Sequence, residues 1–427
     1  MRQLGRKNEQ VVSRRSVTKP LARVDRNAKM SRTVAAEKSV EPSFPGDQRR
    51  DLSRQLDNAF GQVCEEVGDP GVQAVLMKQG RLVWSSRRGM AISQSDTPVT
   101  DHSLFYYCSI GKLVIATFVL HQVEAGVLDL DKPISHFVGG EVAGSDVVTV
   151  RMLLTHTSGY PDAYADPAVP ATAPLLPPSY GDSRPYDPNR AWTFAMVNAG
   201  IHDPVEPGAR FAYLNCGYLL LGRVLSKTVG GDEALKRAIR RFVRRADAVE
   251  PMTENLFTID RSQRALRRFT HGYELLEDGS LLDYFTAYGA QGIPTEMYGL
   301  PFTDSAFAGT ALAGAQFLDA LFARQRLLQR ETVEAMISPT PQAMRDGSRS
   351  DPLASHCTFG MGTRRIMAGG RTWQGHTGSW IGFSAIGATD IERGVTLFVM
   401  TNRNTSQYRP ANVIWEQLVE TYAAAIS

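Results

Sequence analysis

Three short motifs stand far apart in this chain, and any fold that unites them must bring both ends of the sequence to one place. They are Ser109-Ile110-Gly111-Lys112, Tyr213-Leu214-Asn215 and His376-Thr377-Gly378. A serine and a lysine three residues apart share one helical face, so the amine can take the hydroxyl proton. A tyrosine, an amide side chain and a strand ending in Thr-Gly supply what acyl transfer still lacks. These are a second proton carrier, a substrate hydrogen bond and an oxyanion site.

The surroundings of each motif carry as much as its letters. A second Ser-x-x-Lys, Ser16 to Lys19, sits in a polar, arginine-rich stretch with no apolar helix behind it and is read as chance. Ser109 instead follows Phe105-Tyr106-Tyr107-Cys108, and Leu113 to Leu120 holds a single polar residue, Thr117. A helix apolar all round is a buried one. Burial disfavours the charged form of a lysine, which is how such a residue becomes a usable base. Taken alone, the motif also fits a serine capping a surface helix with Lys112 in solvent.

Tyr213 and Asn215 are alternate residues of a turn or short extended segment, an arrangement that can turn both to one pocket; a core tyrosine with a turn-forming asparagine is the competing reading. The apolar stretch Tyr218–Leu225 predicts a second buried helix. A tyrosine serves as proton carrier beside a cation, so Tyr213 makes chemical sense next to Lys112. In the third motif, Gly375, Gly378 and Gly382 allow a substrate backbone to approach a strand edge closely. The backbone N–H groups of Ser109 and Ser379 are the candidate oxyanion hole. His376 and Thr377 are candidates to bind a substrate carboxylate or shuttle a proton, and a satisfied core histidine is the competing reading of His376.

Together these motifs resemble the serine β-lactamase and penicillin-binding superfamily, most closely its class C β-lactamase, DD-carboxypeptidase and family VIII esterase branch. Pro70-Gly-Val-Gln-Ala-Val-Leu-Met-Lys-Gln-Gly80 is similar to its first strand and turn. Ala125-Gly126 through Leu128–Ile134 is similar to the segment after the nucleophile helix, and Met152-Leu-Leu-Thr-His-Thr-Ser-Gly159 to a signature of the branch. The likeness runs from about residue 55 to the C-terminus. It implies that Ser109 is the nucleophile, Lys112 its base and Tyr213 the proton carrier for the leaving group. It further implies that Asn215 binds the substrate amide, and that Ser109 and Ser379 N–H groups hold the oxyanion. One position departs. Class C β-lactamases usually carry Lys-Thr-Gly where this chain has His376-Thr377-Gly378, and a histidine is charged only part of the time near neutrality.

Other chemistries find no support. There is no Gly-x-Ser-x-Gly elbow, no His-Glu-x-x-His and no phosphate loop, so neither a metal nor another cofactor is expected. The first fifty residues hold thirteen Lys and Arg against five Asp and Glu, a net +8. The whole chain is +3, which leaves a mildly acidic body of −5 with no call on nucleic acid. Residues 1–50 read as a disordered basic tail. Ser13-Arg14-Arg15 has no apolar stretch after it, so the tail reads as a cytoplasmic extension, with an Arg-rich transit peptide or a start at Met30 as alternatives, and no apolar run is long enough to span a membrane. Four cysteines are too few for a disulfide framework, and Cys108 and Cys216 read as buried free thiols.

The predicted fold class is α+β: an antiparallel sheet flanked by helices, with a mostly helical inserted lobe. A hairpin at Gly71–Met77 and Arg81–Trp84 returns near Phe359–Ile366, Arg371–Gly375, Phe383–Ala388 and Val395–Thr401, and a helix closes the chain from Asn412. The body is residues 51–427, with the sheet lobe about 51–108 and 300–427 and the helical lobe about 109–299. The proline-rich stretch Pro161–Pro188 reads as a loop bordering the pocket, and Arg237–Arg245 and Arg261–Arg268 as solvated helix faces. The expected activity is a serine hydrolase acting on an ester or amide of a small-molecule or peptide acyl donor. A transacylase using the same acyl-enzyme, or an inactive binding protein on the same fold, remain alternatives. The oligomeric state is not legible in the sequence.

Overall fold

Strands from the two ends of the chain interleave in one sheet. β1 (Val72–Lys78) and β2 (Arg81–Arg88) come early; β3 (Cys357–Phe359), β4 (Arg364–Ala368), β5 (Arg371–Trp380), β6 (Phe383–Asp390) and β7 (Val395–Thr401) come late. Their order is β2-β1-β7-β6-β5-β4-β3, and every neighbouring pair is antiparallel. The computed structural model describes residues 46–170, 193–246, 267–276, 278–284, 286, 303–304, 307–347, 357–380, 382–405 and 408–426.

Local chemistry explains these strands. β1 is buried along almost its whole length and β7 along all of it, so their apolar runs suit central strands covered on both faces. Threonines and serines inside the sheet satisfy one another across strands, Thr389 with Thr396 at 2.8 Å and Ser384 with Thr401 at 2.7 Å. The β1–β2 turn places both Gln79 (φ 45°) and Gly80 (φ 83°) in the left-handed region, as a two-residue turn matching the strand twist requires. The strand expected near Phe359–Ile366 is instead two strands. Gly360 donates to Thr363 O at 2.9 Å and Gly362 is left-handed (φ 68°), which turns the chain back between β3 and β4.

Helices cover both faces. α1 (Gly46–Glu66) and α7 (Pro410–Ala425) lie on one side. Leu52, Leu56, Phe60 and Val63 of α1 and Ile414, Trp415, Leu418 and Tyr422 of α7 recur at helical spacing and pack on Val72, Leu397 and Val399. α2 (Ile110–Glu124) and α6 (Ala311–Leu318) pack on the other face, against Phe383, Ala385, Phe398 and Met400. The inserted segment adds α3 (Val150–Leu154), α4 (Asn215–Val229) and α5 (Asp232–Val243). On α5 the arginines at 237, 240 and 241 are exposed while Leu235, Ile239 and Phe242 are buried, so this basic stretch is a solvated face.

The inserted segment is not helical throughout. Tyr273–Leu275 pairs with Leu281–Asp283 and, in parallel, with Arg403–Thr405, tying the insertion to the end of β7. The body begins with α1 at Gly46, ahead of the boundary expected at 51, and Phe44–Ser427 forms one compact unit. Residues 1–45, 171–192 and 247–266 lie outside the described residues, and with them most of the expected basic tail, the later part of the Pro161–Pro188 stretch and most of Arg261–Arg268. Among the described residues no helix is long and apolar enough to cross a membrane.

Trp415 anchors α7 with no exposed surface: it stands edge-on to Trp373 at 5.3 Å and donates its indole N–H to Leu397 O at 3.1 Å. Trp415→Ala is therefore expected to cost about 3–5 kcal/mol in urea unfolding. A loss below about 1 kcal/mol would show that α7 is not part of the cooperative core.

Candidate active site

Ser109 sits at the head of α2, just after Cys108, which is held at φ 52°. The helix behind it is buried from Ile110 to Leu120, and this carries Lys112 fully out of solvent. Its amine has few places to go. Lys112 Nζ lies 3.2 Å from Ser109 Oγ and 3.0 Å from the backbone carbonyl of Asp304, with the Asp304 carboxylate at 3.9 Å. The faces of Tyr213 and Tyr218 complete the cage, with ring centres 5.3 and 5.9 Å from Nζ. Thus the hydroxyl, amine and phenol of the first two motifs share one neighbourhood.

Tyr213 precedes α4, and Asn215 is that helix's first residue; both are half-buried. The Tyr213 hydroxyl makes no hydrogen bond among the described residues. β5 brings in the third motif. It pairs with β6 over Gln374–Trp380 but with β4 only as far as Gly375, so residues 376–380 have no β4 partner along one edge. Gly378 meets the serine turn here. A Cβ at this position would lie 2.3 Å from Tyr107 O, 2.9 Å from Cys108 Cβ and 3.1 Å from Ser109 N. Only a glycine lets β5 come this close to the backbone at Ser109. The Ser109 N–H makes no hydrogen bond among the described residues and stays available to a ligand.

His376 is fully buried. Its Nδ1 lies 2.5 Å from Thr377 O, and because a carbonyl only accepts, Nδ1 carries the proton. Burial first, and then the Arg364 guanidinium, hold its pKa well below the usual 6.5, so the ring is neutral near pH 7. It therefore supplies no cation of its own to a substrate carboxylate. Its Nε2 and the Thr377 hydroxyl are buried without a hydrogen-bond partner among the described residues. The Tyr213 ring stands 6.3 Å from that of His376.

Three neighbours escaped the motif reading. Arg364, on β4 opposite Gly375, lies over the rings of Phe359 (4.7 Å) and Tyr213 (5.5 Å). Asp304 contributes a backbone carbonyl, which any residue type offers, so no sequence signal marked it. His156 stacks on Tyr213 with ring centres 4.5 Å apart. It lay inside the Met152–Gly159 signature, noted there for its likeness and not for a role. The cysteines beside the motifs are free and buried, and burial pushes Cys216 up to about 12 and Cys108 well above its ordinary value. Both remain protonated thiols near neutral pH and so are poor nucleophiles.

The beta-lactamase family model matches residues 56–420. The chain belongs to the beta-lactamase family. It is 31% identical over 126 residues to esterase EstB of Burkholderia gladioli, covering 28% of this chain and 32% of the esterase. It is 26% identical over 155 residues to penicillin-binding protein 4* of Bacillus subtilis, covering 35% of this chain and 31% of that protein. These matches span about a third of each relative's length. A crystal structure of D-amino acid amidase from Ochrobactrum anthropi SV3 shares the fold, with a TM-score of 0.65 at 22% identity over 86% of this chain and 98% of the amidase.

Two outcomes follow from the geometry. Gly378→Val places methyl groups against Tyr107 and Ser109 and should lower stability by about 1–3 kcal/mol in thermal or urea melts; an unchanged melt would mean that the contact is loose. Because the native protein resists protonating His376, stability from the neutral ring is complete above about pH 6.5 and falls as the pH drops below it. The fall in unfolding free energy between about pH 6.5 and 5 should be shallower in His376→Gln; an identical slope would show that the ring protonates freely when folded.

Proposed function

We propose that the chain is a serine hydrolase that forms an acyl-enzyme on Ser109 and cleaves an ester or amide bond of a small molecule or peptide. The observation carrying this reading is the buried Lys112 amine, 3.2 Å from Ser109 Oγ and against the Tyr213 ring. In the proposed reaction Ser109 Oγ attacks the donor carbonyl carbon and its proton passes to Lys112. The N–H groups of Ser109 and Ser379 hold the oxygen that becomes negative. The tetrahedral adduct collapses, the bond to the leaving group breaks, and Tyr213 protonates the departing alkoxide or amine. Water then attacks the acyl-enzyme carbonyl carbon and gives its proton to the Tyr213 phenolate; the bond from the carbonyl to Ser109 Oγ breaks, Lys112 returns its proton to Ser109, and the acid product leaves.

The other motif residues take binding roles. Asn215, which opens α4 two residues beyond Tyr213, is assigned the substrate amide. Thr377 and His376 present a hydroxyl and a neutral imidazole, which favours a donor with no carboxylate at that end. Family membership, with an esterase and a penicillin-binding protein among the relatives, supports acyl chemistry at such a site.

A fluorophosphonate or fluorescent penicillin is expected to label the protein at Ser109 and to leave Ser109→Ala unlabelled. Lys112→Ala should slow acylation by roughly 10²-fold or more, the usual contribution of a general base. Labelling at a different serine, or an undiminished rate in Lys112→Ala, would refute the mechanism. Esters of p-nitrophenol, nitrocefin and D-Ala peptides, assayed in parallel, assign the donor class.

A further inference from the structure

We propose that His156 is a positioning residue that aims the Tyr213 phenol at the departing group of the acyl donor. The proposal rests on the acyl-enzyme reading above.

The backbone first sets where the side chain points. α3 ends in a left-handed cap: His156 N–H donates to Leu153 O at 3.3 Å and Thr157 N–H to Met152 O at 2.9 Å. The residue between them, His156, sits at φ 56°. Such a cap selects glycine or asparagine, which adopt this conformation with little strain. Histidine enters this region more readily than most side chains, and here the turn aims its ring at the segment around Tyr213.

The contacts of His156 fall on three successive residues. The His156 carbonyl accepts the Ala212 N–H at 2.9 Å. Its ring lies 4.5 Å from the Tyr213 ring at an interplanar angle of 31°. Its Nδ1 accepts the Leu214 N–H at 3.1 Å. One residue therefore grips the backbone on both sides of Tyr213 and the phenol ring between them. Because Nδ1 accepts, the ring proton is on Nε2. Burial, with Lys112 and Arg364 nearby, keeps the imidazole neutral, so the acceptor persists through the neutral range. The Tyr213 hydroxyl makes no hydrogen bond among the described residues, so none of them holds its direction from that end. Its aim depends on what holds its ring and backbone.

The chemistry gives a readout that general destabilisation would not move. A p-nitrophenolate departs without a proton, whereas an alkoxide or amine needs one. A misdirected Tyr213 therefore slows donors with basic leaving groups most. The test measures acylation of Ser109 by acetate esters running from p-nitrophenol to simple alkyl alcohols. His156→Gly suits the left-handed cap but removes ring and acceptor. His156→Asn suits the cap and keeps an acceptor for Leu214. For His156→Gly the loss with alkyl esters should exceed that with the p-nitrophenyl ester by at least about tenfold, and His156→Asn should recover part of it. His156→Gly added to Tyr213→Phe should lose no more than Tyr213→Phe alone. If His156→Gly fails to fold, the leaving-group profile of His156→Asn decides by the same criterion. A uniform loss across the esters, or additivity with Tyr213→Phe, overturns the clamp while leaving the acyl-enzyme intact. Failure of wild-type Ser109 to take a fluorophosphonate overturns the acyl-enzyme reading, and the clamp with it.

Discussion

The burial of one lysine amine organises this site. A long side chain ending in an amine is normally found at a protein surface, and taking it wholly out of water is costly unless its hydrogen-bonding groups are met. Here α2 is apolar on every side, so Lys112 at its first turn is enclosed along with the rest of the helix. What meets the amine is the Ser109 hydroxyl, a carbonyl from the distant Asp304, and two tyrosine faces from the stretch around α4. The same contacts that make this burial tolerable bring the Ser109 hydroxyl, the Lys112 amine and the Tyr213 ring together. Packing and chemistry are one arrangement in this region.

The sheet supplies the opposite wall. β5 runs past the end of its pairing with β4 and meets the serine turn at Gly378, where the absence of a side chain sets the separation. Around this seam the charge is distributed in an unusual way. The position where class C β-lactamases usually carry a lysine holds a neutral histidine, while a permanent cation, Arg364, comes from the neighbouring strand and lies against the Tyr213 ring. Arg364 is also one of the forces that keep His376 and His156 uncharged. Two imidazoles near a tyrosine therefore act as fixed hydrogen-bonding rings and not as neutral-pH switches.

Much of the architecture was legible because strong periodicity reports burial. The runs that form β1, β5, β6 and β7 and the apolar helices α2 and α4 were visible from their residues alone, as was the interleaving of chain ends. The strand near Phe359–Ile366 misled because its apolar and polar letters continue through Gly360-Met361-Gly362, and only the turn geometry shows that the chain reverses there. The small sheet joining Tyr273–Leu275 to Arg403–Thr405 was missed because its strands are three residues long and are paired by distant contacts.

Sequence by itself determined the residue types, their order and which helices had to be buried, because side-chain chemistry and periodicity are local properties. Tertiary structure alone decided which atoms face one another. Asp304 matters through a carbonyl that every residue possesses, and Arg364 matters through a strand register. His156 matters through a left-handed turn that puts its ring on Tyr213. The parts played by Asp304 and Arg364 leave no mark in the letters, and His156 is marked only by its place in the Met152–Gly159 stretch, because each depends on distances between segments that folding, and not adjacency in the chain, brings together.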